Sequence, residues 1–405
     1  MAEPLSTRYA LVGAGTRAWK TYLPLFAHPS PGRSLVGVAD SDPRRLAEVA
    51  ERWSVPVYPT GDVRPMLDDL RPEVLIVTSP DCAHAGQIAA ALDAGVHVLT
   101  EKPMALTARS AASVVAAEQR SRATVRVAHN MRYLNLHRTI RDLLAEGRIG
   151  TPTRAHLSYR LRPDHGRSYF LRWHRRAAAS GGLQITKSCH HFDLLNWWLA
   201  DRPQEVTGWT GRLHYHPGPD RGDDERRVPA DADIADTVSA VIRYRGGAIA
   251  HYSLSARSPW EGYTLTVQGT DGELAARYEV VAAGGARPAD RYTVRLSPVD
   301  GPPRRITVPR ESGTHSGADA RMLAALLDGA LLDGALLDGE LPDGGAPPSP
   351  GPYGARGPAA TAVDGAYAVA VGEAVTRSAA HGGPVAIDGL LPGLVLPEAT
   401  AGRSV

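Results

Sequence analysis

Apolar residues in the first 130 positions come in short runs, each ending in a polar or glycine-rich turn. Tyr9–Val12 stops at Gly13-Ala-Gly15-Thr16-Arg17-Ala18, and Leu35–Ala39 stops at Asp40. Val74–Val77 leads into Thr78-Ser79-Pro80-Asp81-Cys82-Ala83-His84, and Val96–Leu99 into Thr100-Glu101-Lys102-Pro103. Alanine-rich stretches of helical character separate these runs. Short continuous apolar runs read as strands buried on both faces, and their alternation with helices predicts a doubly wound parallel sheet. Ligands then gather at the carboxyl ends of the strands. Further on the pattern changes. Thr153–Arg160, Thr237–Tyr244, Ala248–Leu254 and Thr264–Gln268 alternate apolar with polar residues and are separated by glycine-rich turns. That period of two predicts an antiparallel sheet with one covered face.

The first turn carries G-x-G-x-x-A. Gly13 makes the tight turn, Gly15 lets backbone amides approach a pyrophosphate, and Ala18 allows close helix–strand packing. Asp40 follows Ala18 by 22 residues, near the ~20-residue offset at which an acidic side chain meets the adenosine ribose. Together these predict a Rossmann dinucleotide-binding domain over residues 1–130 and a second α/β domain, built on a largely antiparallel open sheet, over 131–405. The carboxylate of Asp40 favours NAD, while Ser41, Arg44 and Arg45 leave NADP possible.

Composition narrows the partners. A chain of 405 residues with 43% apolar and 22% charged residues is an ordinary globular protein long enough for two domains. A net charge of +2 gives no reason to expect nucleic acid or an anionic membrane. The first residues show no basic segment followed by a long apolar one, no run reaches the length of a membrane span, and only Cys82 and Cys189 occur. A cytoplasmic protein is expected, with the open sheet available to pair subunits in a homo-oligomer. Of 45 basic residues only Lys20, Lys102 and Lys187 are lysine. From Ala325 the pentapeptide ALLDG runs three times in tandem, followed by a Gly/Pro-rich stretch to Pro358, which reads as a surface insertion over about 325–358 with no chemistry. Helical periodicity returns over Ala359–Ala380.

The stretch Lys187–Trp198, KSCHHFDLLNWW, concentrates candidate chemistry. After Gly181-Gly182 a helix is expected to start near Thr186, placing Lys187, His190 and His191 on one broad face and anchoring Leu194, Leu195, Trp197 and Trp198 in the core. Adjacent residues on a helix point about 100° apart, so Cys189 and His190 make a poor thiolate–imidazole pair. One turn also cannot converge Cys189, His190 and His191 on a zinc ion, so no metal is expected.

G-x-G-x-x-A, Asp40, T-S-P-D-x-x-H, A-G-V-H-V-L-T-E-K-P and the later G-G…H-x-x-D helix, taken in order, resemble the Gfo/Idh/MocA family over nearly the whole chain. The resemblance implies an NAD(P)-dependent oxidoreductase acting on a sugar, cyclitol or related polyol. It places Lys102 near the nicotinamide and the substrate hydroxyl, and Asn130 and Arg132 in the segment closing the nucleotide half. The nucleotide is then expected along Gly13, Gly15, Thr16, Arg17, Ala18, Asp40, Ser79, Pro80, His84, Glu101, Lys102 and Asn130. The family commonly carries Asp-x-x-x-His at the substrate. Here the histidine is His190, Thr186 stands where the aspartate would be, and the local pattern is that of a K-x-x-H-H-F-D-L-x-N-W-W subgroup. Lys102, His190, Lys187 and His191 are the catalytic candidates. Asp193 is expected to orient the helix or a histidine, and Tyr169, His174, Trp260, Glu261, Tyr263 and His315 are candidate pocket walls. Proton transfer is assigned to His190 and stabilisation of the developing alkoxide to Lys102, the two roles being exchangeable at this level. The rivals are a redox-neutral glycosidase, lyase or epimerase working through a transient keto-sugar, and a non-catalytic binding or regulatory protein of the same fold.

Overall fold

The computed structural model describes residues 6–28, 32–217, 226–327 and 357–394. Strands β1 (Thr7–Val12), β2 (Arg33–Ala39), β3 (Val57–Tyr58), β4 (Val74–Val77), β5 (His97–Thr100) and β6 (Val125–Val127) form a parallel sheet in the order β6-β5-β4-β1-β2-β3. Every residue of β4 is buried, as its uninterrupted apolar run requires. Helices α1 (Pro43–Trp53), α2 (Arg64–Leu70), α3 (His84–Asp93) and α4 (Ala108–Arg120) connect the strands. The Asp42 side chain caps α1 and that of Thr107 caps α4, satisfying amides that a helix start leaves open. The helix after β1 is irregular: a π turn over Ala18–Tyr22 runs into a 3-10 turn over Leu23–Phe26. Pro24 has no N–H to continue an α-helical ladder.

The chain crosses through α5 (Asn135–Ala145) into a nine-stranded sheet. Eight of its strands are β7 (Pro152–Arg160), β8 (Pro203–Gly211), then, after the small pair β9 (His216–Pro217) and β10 (Arg227–Val228), β11 (Thr237–Tyr244), β12 (Ile249–Ser255), β13 (Glu261–Gly269), β14 (Gly272–Val281), β15 (Arg291–Pro298) and β16 (Arg304–Pro309), and the ninth comes from the C-terminal part. All neighbours are antiparallel except β7 with β12. Helices α6 (Pro163–Leu171), α7 (Ala177–Ser180), α8 (Leu183–Thr186) and α9 (Cys189–Leu199) lie between β7 and β8. Along β7 the buried Ala155, Leu157 and Tyr159 alternate with polar positions, so one sheet face takes the helices and the other stays polar.

The C-terminal part ties the halves together. After α10 (Ala318–Leu327), strand β17 (Ala360–Thr361) adds antiparallel to β6 of the first sheet, and β18 (Val385–Ala386) pairs with β8 of the second. Between them α11 (Ala362–His381), opened by a Thr361/Asp364 capping box, packs on α4, α9 and β8. Its Glu373 carboxylate accepts the Ala108 amide at the start of α4. Gly372 lets α11 approach α8 closely; a Cβ there would fall 2.4 Å from the Gln184 carbonyl oxygen. Most of the predicted insertion lies outside the described residues, although 325–327 belong to α10. The last short helix, α12 (Ile387–Leu390), follows β18.

Candidate functional site

The loops after β1, β2, β4 and β5 meet at one edge of the parallel sheet. Gly13 has φ +94°, and a Cβ on it would lie 2.3 Å from the Ser79 amide nitrogen, so the β1 and β4 loops touch only because this residue is glycine. Gly13→Ala combines a left-handed backbone with that collision. It is expected to destabilise the protein by about 1–3 kcal/mol and to weaken NADH binding at least tenfold, read by melting and by nucleotide fluorescence titration. A Cβ on Gly15, in contrast, would meet only Arg45 Nη1 at 3.9 Å, leaving this backbone open to a ligand. Asp40 ends β2 and is 6% exposed. Its carboxylate accepts the Ala14 amide at 2.6 Å and the Asp42 amide at 2.7 Å, with Arg45 at 3.6 Å. Each oxygen keeps a lone pair for a ribose hydroxyl. The glycine cradle and the terminal carboxylate therefore fit a dinucleotide. Asp40→Ala is expected to raise the KM for NAD about 10- to 100-fold and that for NADP much less, because Arg45 is left without its carboxylate; steady-state kinetics with both nucleotides checks this.

Other expected nucleotide contacts prove to have protein partners. The Arg17 guanidinium donates to Glu101 at 2.5 Å and, with two nitrogens, to Asp319 at 2.8 and 2.9 Å. The Tyr22 hydroxyl donates to Glu101 at 2.8 Å, and Asn130 Nδ2 to Asp319 at 2.8 Å. Burial works against the Glu101 carboxylate, yet Arg17, Lys102 and Tyr22 hold its pKa below the usual value. His84 is buried with one ring nitrogen on the Pro103 carbonyl oxygen at 2.7 Å and the other on that of Ser79 at 2.8 Å, so it joins the β4 and β5 loops and presents no nitrogen to a ligand. Ser79 donates to Gln87 at 2.6 Å, and Pro80 precedes the one-turn helix Asp81–Ala83. Thr16 and Ala18 lie in the turn that leaves Gly15, with Ala18 fully buried.

Lys102, at the end of the β5 loop, reaches across the junction. Its Nζ donates to the Thr186 carbonyl oxygen, the last residue of α8, at 3.0 Å. Burial opposes its ammonium, but Cys189, Asp81, Tyr169 and Glu101 raise the pKa above the ordinary lysine value. Burial pushes the Cys189 thiol up to about 12, so near neutral pH the anions that hold the Lys102 proton are Asp81 and Glu101.

The expected single helix from Thr186 is two pieces. Helix α8 ends at Thr186, and α9 starts at Cys189. The Ser188 amide and hydroxyl both turn back to the Leu183 carbonyl oxygen, at 2.8 and 3.1 Å, breaking the ladder between them. The Tyr252 hydroxyl donates to Ser188 Oγ at 2.8 Å and therefore accepts from His191 Nδ1, also at 2.8 Å. This fixes the His191 proton on Nδ1 and leaves Nε2 buried without a partner. His191 stacks on Tyr159 with ring centroids 4.0 Å apart, and Lys187 Nζ sits 4.8 Å from the centre of the same ring. His190 points elsewhere, edge-on to His129 at 5.8 Å, with Nδ1 buried and unpartnered. Burial, and then Lys102, His129, Lys187 and His191, keep the pKa of His190 well below the usual imidazole value. It is a neutral ring at pH 7.

The pocket-wall candidates divide. Glu261 is 5% exposed and takes His165 Nδ1 at 2.7 Å, while His165 stacks on Tyr169, whose ring meets His174 edge-on at 5.3 Å. Tyr263 is fully buried between His137, Trp198 and Tyr278 and is a core residue, because its place on β13 faces the helices. Trp260 lies under the guanidinium groups of Arg160 and Arg277, at 4.8 and 4.2 Å, and forms no wall with the histidines. His315 belongs to the Asp319 cluster at 2.7 Å. Asp319 itself escaped the sequence reading. It is 302 residues from Arg17, and nothing local marks it. Asp81 stood inside a quoted motif and was passed over. Among the described residues no group of three or more His, Cys, Asp or Glu side chains is placed to hold a metal ion, and no helix is long and apolar enough to cross a membrane.

The glycine turn after β1 and the carboxylate that ends β2 fit a dinucleotide-dependent enzyme, in which Lys102 of the first domain reaches Thr186 of the second. Residues 7–129 match the oxidoreductase family with an NAD-binding Rossmann fold, and residues 137–275 match the Gfo/Idh/MocA C-terminal domain. Bacillus subtilis YteT, which bears an oxidoreductase name, is 30% identical over 92% of this chain and 96% of its own. An inositol 2-dehydrogenase of Rubrobacter xylanophilus is 32% identical over 44% of this chain and 48% of its own. An Agrobacterium radiobacter oxidoreductase, solved with NAD+, L-tartaric acid and magnesium, shares the fold with a TM-score of 0.70 at 18% identity, covering 96% of this chain and 100% of its own. The chain belongs to the Gfo/Idh/MocA family of oxidoreductases and is an NAD-dependent enzyme.

Proposed function

We propose that the enzyme transfers a hydride between the nicotinamide and a secondary hydroxyl of a sugar or cyclitol. The observation that supports this most directly is the convergence of Lys102, from the nucleotide domain, with Thr186 and the buried His190 of the second domain. The cofactor, when bound, supplies the hydride acceptor. Gly13, Gly15 and Asp40 hold it, and Lys102 donates a charge-assisted hydrogen bond to the substrate oxygen as alkoxide character develops. His190, kept neutral, hydrogen-bonds the same hydroxyl and fixes its orientation. Lys187, Glu261 and the His165/Tyr169/His174 rings bind the remaining hydroxyls. Polar groups interleaved with aromatic faces suit a polyol. Among the relatives, the inositol for which the Rubrobacter xylanophilus dehydrogenase is named is a compound of this kind.

The test is a panel of cyclitols, anhydrosugars and glycosides incubated with NAD+, following absorbance of NADH and product together. NADH formed in equal amount to a keto product supports the reading. Product formed with no free NADH would replace it by the redox-neutral reaction through a transient keto-sugar.

A further inference from the structure

Oxidation of a secondary alcohol releases a proton, and the residues assigned to the site so far do not store it. His190 is held neutral and Lys102 already carries its proton. Thr186, standing where the family has aspartate, has no acid form to fill. Of the two carboxylates that raise the Lys102 pKa, Asp81 acts on the ammonium more strongly than Glu101. It opens the one-turn helix Asp81–Ala83 after β4, and β4 is the immediate sheet neighbour of β5, whose loop carries Lys102. Asp81 is 6% exposed, and its Oδ2 is buried without a hydrogen-bond partner. The Asp81–Ala83 turn packs against α7. Thr186 lies beside both members of the pair: its carbonyl oxygen accepts from Lys102 Nζ at 3.0 Å, and its side chain favours the Asp81 carboxylate.

We propose that Asp81 is the proton-holding partner of Lys102, filling from the nucleotide domain the role that an aspartate at position 186 would fill from the substrate domain. This deepens the reading under Proposed function and rests on it. In the oxidation direction the substrate O–H proton passes to Lys102 Nζ as one ammonium proton passes on, through an intervening water, to the Asp81 carboxylate. Lys102 ends as it began, and Asp81 ends as a carboxylic acid. The C–H bond breaks with its electron pair going to NAD+ as hydride, so the carbinol is oxidised to a carbonyl and the nucleotide is reduced. Reduction runs the same transfers backwards.

The surroundings of Asp81 suit a group that gains and loses a proton near neutrality. Burial raises its pKa, Lys102, His84 and the Thr186 side chain oppose the rise, and Glu101 adds to it, leaving a value of about 6. The groups facing Lys102 do not compete for the proton. The Cys189 thiol stays protonated, His190 stays neutral, and burial lowers His174 to about 3. Glu101 is committed to Arg17 and Tyr22.

The pair is tested first by titration of the protein free of nucleotide, using ¹³C-aspartate NMR or infrared carboxyl bands across the acid-to-neutral range. One carboxyl should titrate near about 6, vanish in Asp81→Asn, and move up by at least about one unit in Lys102→Met, where its cation is lost. Kinetically, Asp81→Asn should lower kcat about 10- to 100-fold and flatten the acid limb of its pH profile, while NADH affinity stays unchanged. Adding Thr186→Asp to that variant should restore part of kcat. An Asp81 that titrates in the ordinary carboxylate range and ignores Lys102→Met overturns the proposal, as does an Asp81→Asn enzyme with wild-type kcat and acid limb. If Asp81→Asn does not fold, the upward shift in ¹³C-labelled Lys102→Met decides. A wild-type enzyme that transfers no hydride with any polyol removes the reading of function, and the titration alone then upholds or overturns the Asp81–Lys102 pair.

Discussion

Lys102→Met is expected to lower kcat by about 10²-fold or more while leaving NADH affinity within a few-fold of wild type. The methionine keeps the length and apolar stem of lysine and removes only the ammonium. The proposed nucleotide contacts Gly13, Gly15 and Asp40 lie in the loops after β1 and β2, away from Lys102. The ammonium is the one cation at this junction held in place by a fixed backbone acceptor, Thr186 O at 3.0 Å. It is retained despite burial, because Asp81 and Glu101 face it. A buried charge of this kind matters most where a second charge develops next to it, as on an alkoxide oxygen. Lys102→Arg should not rescue turnover, since the planar guanidinium cannot occupy the place of a compact ammonium between Thr186 and a substrate oxygen. Near-normal kcat in Lys102→Met would remove Lys102 from the chemistry.

The nucleotide half of this site was legible in the sequence because its signals are local. An apolar run, a glycine that cannot carry a side chain and a carboxylate at the end of the next strand lie within 34 residues of one another, from Val12's run to Asp40 and its cap. The alternating strands of the second sheet were legible for the same reason, although β8 and β16 show no clear period, and β15 escaped notice even though Tyr292, Val294 and Leu296 alternate there with polar residues. What escaped depends on contacts distant in sequence. The break between α8 and α9 is set by Ser188 together with a hydroxyl 64 residues away on Tyr252. Arg17 reads as a nucleotide contact until Glu101 and Asp319 are brought to it. Tyr263 reads as a wall until the face of β13 is known, and a strand shows its two faces but not which one is covered. Asp81 was visible as a letter in a motif, yet its chemistry comes from burial beside Lys102, which no spacing reports.

Arg132→Met is expected to destabilise the protein by about 3–5 kcal/mol, the largest stability loss among the site's neighbours. Arg132 is 2% exposed on the turn that leaves β6, and Asp193 is 1% exposed on α9. The guanidinium donates from Nε and Nη2 to the two oxygens of Asp193, at 2.8 and 2.6 Å, and its Nη1 lies 3.5 Å from Asp364 at the start of α11. Asp193 thus orients its helix, as expected, through an arginine rather than a histidine; His129 Nδ1 stands back at 3.8 Å. Removing the arginine leaves the buried Asp193 carboxylate without its cation, which costs far more than the intact pair contributes. For that reason Arg132→Met/Asp193→Leu should recover a large part of the loss, and Arg132→Lys, which keeps the charge but not the fork, should fall between. Thermal or denaturant unfolding of the four proteins measures this. A double variant less stable than Arg132→Met would show that the arginine acts through its contact with the Trp197 ring, 5.5 Å away, instead of through the aspartate. Because Asp193 lies one turn beyond His190, the single variant should also lower kcat without changing NADH affinity: the nucleotide sits on the first sheet, and the histidine is carried on the helix that this ion pair holds in place.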